Sequence, residues 1–256
     1  MIKRADNDGL HIIIEGIDGS GKSTVSRACE SWAEARGAKF FNVIEFSERE
    51  GRLPDITETG DANGLLMAEP TFCWCGKAIR DEIITKRENG TVRYSGWETA
   101  HAFATDRLVQ FRRLVIPFLQ NHPERIIFQD RCLASTLAYQ PLQDKSLTTE
   151  KLLELPGNEQ TINFYPSMLL LIRTEAAAAM SRLEKRTEKQ DGVIFEEKDF
   201  QERLVKRFLS DEVLGPFKQA GSLIGEVDGN QDIPHVSAAV EATLSQNFGF
   251  FGKIGL

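Results

Sequence analysis

The feature that most constrains this chain is a glycine-rich loop between a predicted strand and a predicted helix. The apolar run His11-Ile12-Ile13-Ile14 leads, after one acidic residue, into Gly16-Ile17-Asp18-Gly19-Ser20-Gly21-Lys22-Ser23-Thr24. This segment fits G-x-x-x-x-G-K-[ST], a pattern that needs a strand before it and a helix after it. Its backbone can curl so that the N–H groups point inward at a polyphosphate, and the helix N-terminus adds the positive end of its dipole. We therefore predict a phosphate-binding loop for a nucleoside triphosphate in an α/β fold.

Within this loop, Lys22 is expected to reach the β- and γ-phosphates, and the Ser23 hydroxyl is expected to hold Mg²⁺. The residues expected to contact the nucleotide are Gly16, Asp18, Gly19, Ser20, Gly21, Lys22, Ser23 and Thr24.

Composition excludes several classes of protein. The net charge of −7 argues against general binding to nucleic acid. No apolar run approaches the roughly eighteen residues of a membrane span, and residues 1–8 lack the apolar core of a signal peptide. The four cysteines include one C-x-C pair but no second close pair, so we predict packing or surface thiols in a reducing cytosol rather than a zinc or redox site.

Strand and helix patterns alternate along the chain, which predicts a parallel sheet covered on both faces. We expect a single domain over 1–256, with insertions near 47–64, interpreted as a loop or hairpin, and near 141–164. The predicted strands are 11–15, 39–46, 65–68, 125–129, 168–173 and 223–227. The predicted helices are 22–36, 76–87, 96–120 with a kink or stop at Pro117, 175–186, 199–209 and 234–246.

The strand at 125–129 ends in Gln129-Asp130-Arg131, which narrows the phosphate chemistry. The N-K-x-D motif of GTPases is absent, and the Asp-Glu pair typical of motor ATPases does not follow this strand. An aspartate beside an arginine at a strand end suits a site that holds Mg²⁺ and a second phosphate. The alternative is a structural ion pair.

A second basic cluster, Arg182, Lys185, Arg186 and Lys189, follows a predicted strand–helix unit. It fits a lid that closes over phosphates as well as it fits a solvated helix face, and local chemistry leaves both interpretations open.

Several segments, in order, resemble the thymidylate kinase family. The loop at 16–24 is similar to the family's P-loop, including the acidic third position. Ala102-Phe103-Ala104-Thr105-Asp106-Arg107 resembles its F-x-x-x-R segment, and 130–140 resembles D-R-x-x-x-S-x-x-A-Y-Q. Residues 165–171 and 227–231 stand where the family has P-D-L-x-x-x-L and a V-D-x-S-Q-like turn.

The resemblance implies a P-loop NTPase three-layer sandwich, with a parallel five-stranded sheet, helices on both faces and a small lid near 182–198. It implies transfer of the γ-phosphoryl group of ATP to dTMP with Mg²⁺, in a cytoplasmic homodimer that binds neither nucleic acid nor membrane. The alternatives are a kinase for another deoxynucleotide or nucleoside, and a non-catalytic nucleotide-binding regulatory protein with the same fold.

The resemblance also implies roles for individual residues. Phe103 is expected to stack on thymine, Arg107 to donate to a base carbonyl, and Tyr139 to pack against the sugar where a 2′-hydroxyl would sit. The implied substrate-binding residues are Asp18 at the 3′-hydroxyl, Glu69, Phe103, Arg107, Arg131 at the monophosphate, Ser135, Tyr139 and Gln140. The implied catalytic residues are Lys22, Asp130, Arg131, Arg182 and Arg186, and the implied metal-binding residues are Ser23 and Asp130.

Three positions depart from the family's pattern. Ala68 stands where T-R-E-P has arginine, so that phosphate contact is missing or is supplied by Arg80. Cys132 replaces a frequent aromatic residue. Gly19 stands where some members carry arginine, which moves the expected catalytic cation to the lid. The insertions and the phenylalanine-rich tail at 247–256 have no counterpart in the resemblance.

Overall fold

A six-stranded parallel sheet organises the protein, which we describe from a computed structural model over residues 1–85, 93–185 and 198–252. The strand order is β2-β3-β4-β1-β5-β6. The strands are β1 (Leu10–Glu15), β2 (Phe40–Asn42), β3 (Gly64–Ala68), β4 (Ile126–Asp130), β5 (Met168–Arg173) and β6 (Leu223–Asp228). The carboxyl ends of parallel strands share one edge, so the loops after β1, β3 and β4 meet there.

Helices cover both faces of this sheet. The central strand β1 pairs with β4 and β5 and is buried along its whole length. Ile12 and Ile14 pack toward α1 and α12, whereas Ile13 packs into the core on the opposite face. The helices are α1 (Lys22–Glu34), α2 (Val43–Glu50), α3 (Trp74–Ala78), α4 (Gly96–Gln110), α5 (Ile116–Leu119), α6 (Leu133–Gln143), α7 (Thr149–Leu153), α8 (Pro156–Asn163), α9 (Ala176–Glu184), α10 (Lys198–Phe208), α11 (Asp211–Ala220) and α12 (Ile233–Phe248).

The parallel α/β architecture is confirmed, but the expected count of five strands is wrong, because six strands pair in the sheet. The strand predicted over 39–46 is also wrong beyond Asn42. The Asn42 side chain accepts hydrogen bonds from the N–H groups of Ile44 (3.1 Å) and Glu45 (3.2 Å), and so caps helix α2. Residues 47–64 accordingly contain the end of α2 and a 3₁₀ turn at Ile56–Thr59 rather than a hairpin.

Pro117 does not end the long helical segment that begins at Gly96. A π turn over Phe111–Val115 separates α4 from α5, and α5 continues past the proline to Leu119. Proline lacks an N–H group and its ring crowds the preceding turn, so a widened turn there accommodates it within a continuous helical segment.

The insertion near 141–164 forms two short helices, α7 and α8, that the sequence analysis did not interpret. Helix α8 lies directly against α4: a Cβ atom on Gly157 would stand 1.9 Å from the Ala104 carbonyl oxygen. This contact brings α8 next to the part of α4 that carries Phe103 and Arg107. Among the helices of the described residues, none is both long and apolar enough to cross a membrane.

Candidate active site

The glycine-rich loop has the backbone that its sequence predicts. Gly19 and Gly21 have φ angles of +76° and +101°, which are strained for other residues. A Cβ atom on Gly19 would also stand 2.3 Å from the Ala179 carbonyl oxygen, so helix α9 seals one side of the loop. The Lys22 ammonium group donates to the carbonyls of Gly16 (3.1 Å) and Ile17 (2.9 Å), and so spans the loop's mouth.

The surroundings of Lys22 lower the pKa of its ammonium group. Burial, and then the nearby Arg131, lower the pKa of Lys22 to about 8, although Asp130 and Asp18 act in the opposite direction. A polyphosphate at this position would favour the protonated form. Ser23, at the start of α1, is exposed and is not part of the core.

Arg131, the residue after β4, also lies beside the glycine-rich loop. Its φ angle of +65° is unusual for a residue with a side chain. Its guanidinium contacts Asp18 Oδ1 at 2.5 Å and donates to Ser135 Oγ at 3.2 Å. The carboxylate of Asp18 therefore faces the arginine after β4 and lies close to the loop lysine.

Asp18 also accepts a hydrogen bond from the Tyr139 hydroxyl at 3.0 Å. Burial alone would raise the pKa of Asp18, but Arg131, Lys22 and this hydroxyl together hold it below its ordinary value. For Arg131, burial opposes the charge, while Tyr139, Asp18 and Asp130 raise the pKa above its ordinary value. Asp18 and Arg131 therefore both keep their charges.

Glu15, the last residue of β1, is a site residue that the sequence analysis missed. Its side chain is fully buried and accepts hydrogen bonds from the N–H groups of Cys132 (2.8 Å) and Ser135 (3.1 Å) and from the Ser135 hydroxyl (2.6 Å). Burial raises the pKa of Glu15, which Arg131 partly offsets. An acidic residue that closes an apolar strand is a signal in the sequence that could have identified it.

Asp130, expected to bind Mg²⁺, carries a buried carboxylate oxygen at the end of β4. The Oδ1 atom of Asp130 is buried and has no hydrogen-bond partner among the described residues. A buried carboxylate oxygen without a donor is costly unless a cation or its water ligands satisfy it. This oxygen therefore fits a hard cation as its partner.

A second, deeper cluster surrounds Arg107, whose side chain is completely buried. It donates to Glu69 Oε2 (2.6 Å), to Thr136 Oγ1 (3.0 Å) and to Asn158 Oδ1, but its Nε has no partner among the described residues. Burial raises the pKa of Glu69 to about 7, an effect that Arg107 reduces. Asn158, which the sequence analysis missed, lies in the uninterpreted insertion and carried no signal there.

The remaining residues predicted to bind the acceptor are Phe103, Gln140 and Ser135. Phe103 is half-buried, one helical turn before Arg107 on α4. Gln140 on α6 is buried, and its Oε1 atom has no hydrogen-bond partner within the described ranges. Ser135, expected among the substrate-binding residues, donates to Glu15 at 2.6 Å.

Of the two predicted lid arginines, Arg182 is described and Arg186 lies outside the described residues, as does the rest of the expected lid over 186–197. Arg182 donates to the Gly229 carbonyl at 2.7 Å and lies 3.4 Å from the Ser20 carbonyl. It thus spans from the glycine-rich loop to the turn after β6.

Arg80, the candidate replacement for the arginine absent at Ala68, is tied to backbone. Its Nε donates to the carbonyls of Pro70 (3.0 Å) and Thr71 (3.2 Å), and its guanidinium lies 3.8 Å from the centre of the Phe72 ring. Burial lowers the pKa of Arg80, whereas Asp106 and Asp130 raise it.

Comparison with known proteins places these features in a family. A family model described as thymidylate kinase matches residues 53–212, a range that includes Glu69, Arg107, Asp130, Arg131 and Tyr139. The chain is similar to a thymidylate kinase of Bifidobacterium longum subsp. infantis, at 26% identity over 92% of this chain and 86% of the relative. It is also similar to probable thymidylate kinases of Thermococcus gammatolerans (28% identity; 72% and 74% coverage) and Thermococcus onnurineus (29% identity; 71% and 75% coverage).

Proposed function

This chain belongs to the thymidylate kinase family, and on that premise we propose that it transfers the γ-phosphoryl group of ATP to dTMP. The observation that carries the proposal is the convergence of two cations on Asp18. Lys22 comes from the glycine-rich loop, and Arg131 comes from the end of the neighbouring strand β4. One cation suits the donor phosphates and the other suits an acceptor phosphate.

On the donor side, Lys22 and the loop N–H groups hold the β- and γ-phosphates of ATP. Ser23 and Asp130 would hold Mg²⁺, which when bound neutralises charge on the phosphate oxygens. The unsatisfied Oδ1 atom of Asp130 supports this assignment. The residues act by positioning and by neutralising charge, so no covalent intermediate on the protein is required.

On the acceptor side, Arg131 binds the monophosphate, and Asp18 accepts a hydrogen bond from the 3′-hydroxyl of the sugar. Arg107 and Gln140 reach the base, and Phe103 stacks on it. The unpaired Nε of Arg107 and Oε1 of Gln140 support this reading, because buried polar atoms are seldom left without partners. Tyr139 packs against the sugar and leaves no room for a 2′-hydroxyl.

Arg182 is the best-supported candidate for the cation that stabilises the transferring phosphoryl group, because it reaches the glycine-rich loop. Arg186 is the second candidate by its position in the sequence. We also propose that residues 1–256 form one domain and that the protein acts in the cytoplasm as a homodimer. Sedimentation or light scattering tests the homodimer by measuring its mass.

A coupled ADP-release assay over a panel of nucleoside monophosphates tests the function. We expect turnover with dTMP and dUMP and far less with UMP, since Tyr139 opposes the 2′-hydroxyl. The Tyr139→Ala variant should narrow the difference between dUMP and UMP. Binding of ATP without turnover on any monophosphate or nucleoside would instead identify a regulatory protein, and preference for another acceptor would identify a different kinase.

A further inference from the structure

The Gln129 side chain lies between the two arginine clusters of the site and makes contact with both. Its Nε2 donates to Glu69 Oε1 at 3.2 Å and to the Arg131 carbonyl at 3.1 Å. Its Oε1 is 2.9 Å from Nε2 of His11 on β1. The side chains of Gln129, Glu69 and His11 are all buried, so each of these polar contacts forms away from water.

The three contacts allow one orientation of the amide. Turning it over would point its oxygen at the Glu69 carboxylate and at the Arg131 carbonyl, which are both acceptors. The amide oxygen instead accepts from His11, which assigns the proton of this imidazole to Nε2. Burial lowers the pKa of His11 to about 3, so the ring is neutral and keeps that role at ordinary pH.

The amide nitrogen of Gln129 fixes the backbone of Arg131. The left-handed backbone of Arg131 is energetically unfavourable and persists only where its surroundings determine it. The Arg131 N–H donates to the Ile14 carbonyl at 3.0 Å, and the Arg131 carbonyl accepts from Gln129. The direction of the guanidinium toward Asp18 depends on this backbone.

The same amide nitrogen also holds Glu69. This carboxylate uses Oε1 for Gln129 and Oε2 for Arg107, the arginine assigned to the base. A single amide therefore connects the groups that meet the phosphate and the base of the acceptor.

We propose that Gln129, oriented by His11, is a positioning residue that keeps Arg131 and Arg107 at the separation the acceptor nucleotide requires. It acts through these arginines and does not touch the substrate. The inference rests on the proposed function, because it assigns the two arginines to one acceptor.

The test is a kinetic comparison of Gln129→Met with the wild type, since methionine keeps the length of the side chain and removes both hydrogen-bonding ends. We expect KM for dTMP to rise about tenfold, because two hydrogen bonds to the site are lost. KM for ATP should stay within about twofold, because the hydrogen bonds of Gln129 go to His11, Glu69 and Arg131 and not to residues 16–24.

Gln160→Met is the matched control. Gln160 is also a buried glutamine that bridges backbone groups, donating to the Ile2 carbonyl at 2.8 Å, but Ile2 belongs to no part of the site. A general loss of stability would lower the melting temperature of both variants, and only Gln129→Met should change KM for dTMP. If both variants change it equally, Gln129 has only a structural role.

His11→Leu provides an independent measurement, and it carries the test if Gln129→Met does not fold. Loss of the donor leaves the buried amide oxygen without a partner and weakens the hold on the amide, and we expect KM for dTMP to rise about threefold. Unchanged kinetics in the folded variants would overturn the positioning role and leave the proposed function intact. A wild type that does not phosphorylate dTMP would overturn the proposed function first, and the positioning role with it.

Discussion

The donor and acceptor sides of the site are built in different ways. The proposed donor side is one continuous segment, 16–24, whose backbone curls around the expected position of the phosphates and whose lysine spans the opening. The proposed acceptor side is assembled from β4, α4, α6, α8 and the residue after β3, with buried polar side chains that bind one another. Binding by one local segment is little affected by substitutions elsewhere in the chain. Binding by a dispersed cluster is sensitive to substitutions at many remote residues.

The largest effect should come from the donor side. Lys22→Ala should lower kcat by about a hundredfold or more, because it removes a preorganised cation from the transferring group. Its melting temperature should stay close to that of the wild type, since the side chain contacts backbone carbonyls rather than the core. Single-turnover rates measure the effect, and a variant with near-wild-type rates would remove Lys22 from the mechanism.

A second large effect should come from the centre of the acceptor cluster. Arg107→Met should raise KM for dTMP by about thirtyfold and also destabilise the fold, because Glu69 is left buried without its cationic partner. The Arg107→Met/Glu69→Met double variant should recover stability but not affinity. Thermal melts and initial rates separate the two effects, and recovered affinity would show that Arg107 does not contact the acceptor.

Arg182→Ala should lower kcat by about tenfold while leaving KM for dTMP nearly unchanged, because the contact forms mainly in the transition state. Lys185→Ala, a replacement of a nearby exposed cation, is the control. Equal effects of the two replacements would assign the loss to general electrostatics rather than to one guanidinium.

The smallest effect is a pH dependence of the donor side. The pKa of Lys22, lowered to about 8, means that its charge is lost as pH rises through 8 rather than near 10.5. We expect kcat/KM for ATP to fall above about pH 8, since this constant reports the free enzyme. Lys22→Arg should lack this alkaline decrease, because guanidinium stays charged. A wild-type profile that is flat to pH 10 would contradict the assignment.

The same contrast explains what the sequence could predict. The loop, the strand before it and the helix after it follow from residues 10–34, because local geometry dictates the motif. The strand predicted over 39–46 is wrong beyond Asn42, because the Asn42 side chain caps a helix there and this contact outweighs the apolar pattern.

The acceptor cluster could be predicted only in part. Arg107 and Glu69 were identified through family resemblance, but their 2.6 Å contact joins positions far apart in the chain. Asn158 and Gln129 were not identified as site residues, because a buried amide has no periodic or spacing signal. Its role depends on which strands and helices meet around it, and that arrangement is a property of the complete fold.

The buried Arg107–Glu69 pair has a consequence for how this protein can change. Removing both charges from water is costly, and apolar residues of similar volume are often as stable or more stable in such positions. The protein therefore retains at its centre an arrangement that thermal stability alone would not select. Engineering for heat resistance would tend to replace this pair first and would then sacrifice recognition of the acceptor, a trade-off between robustness and activity located at one contact.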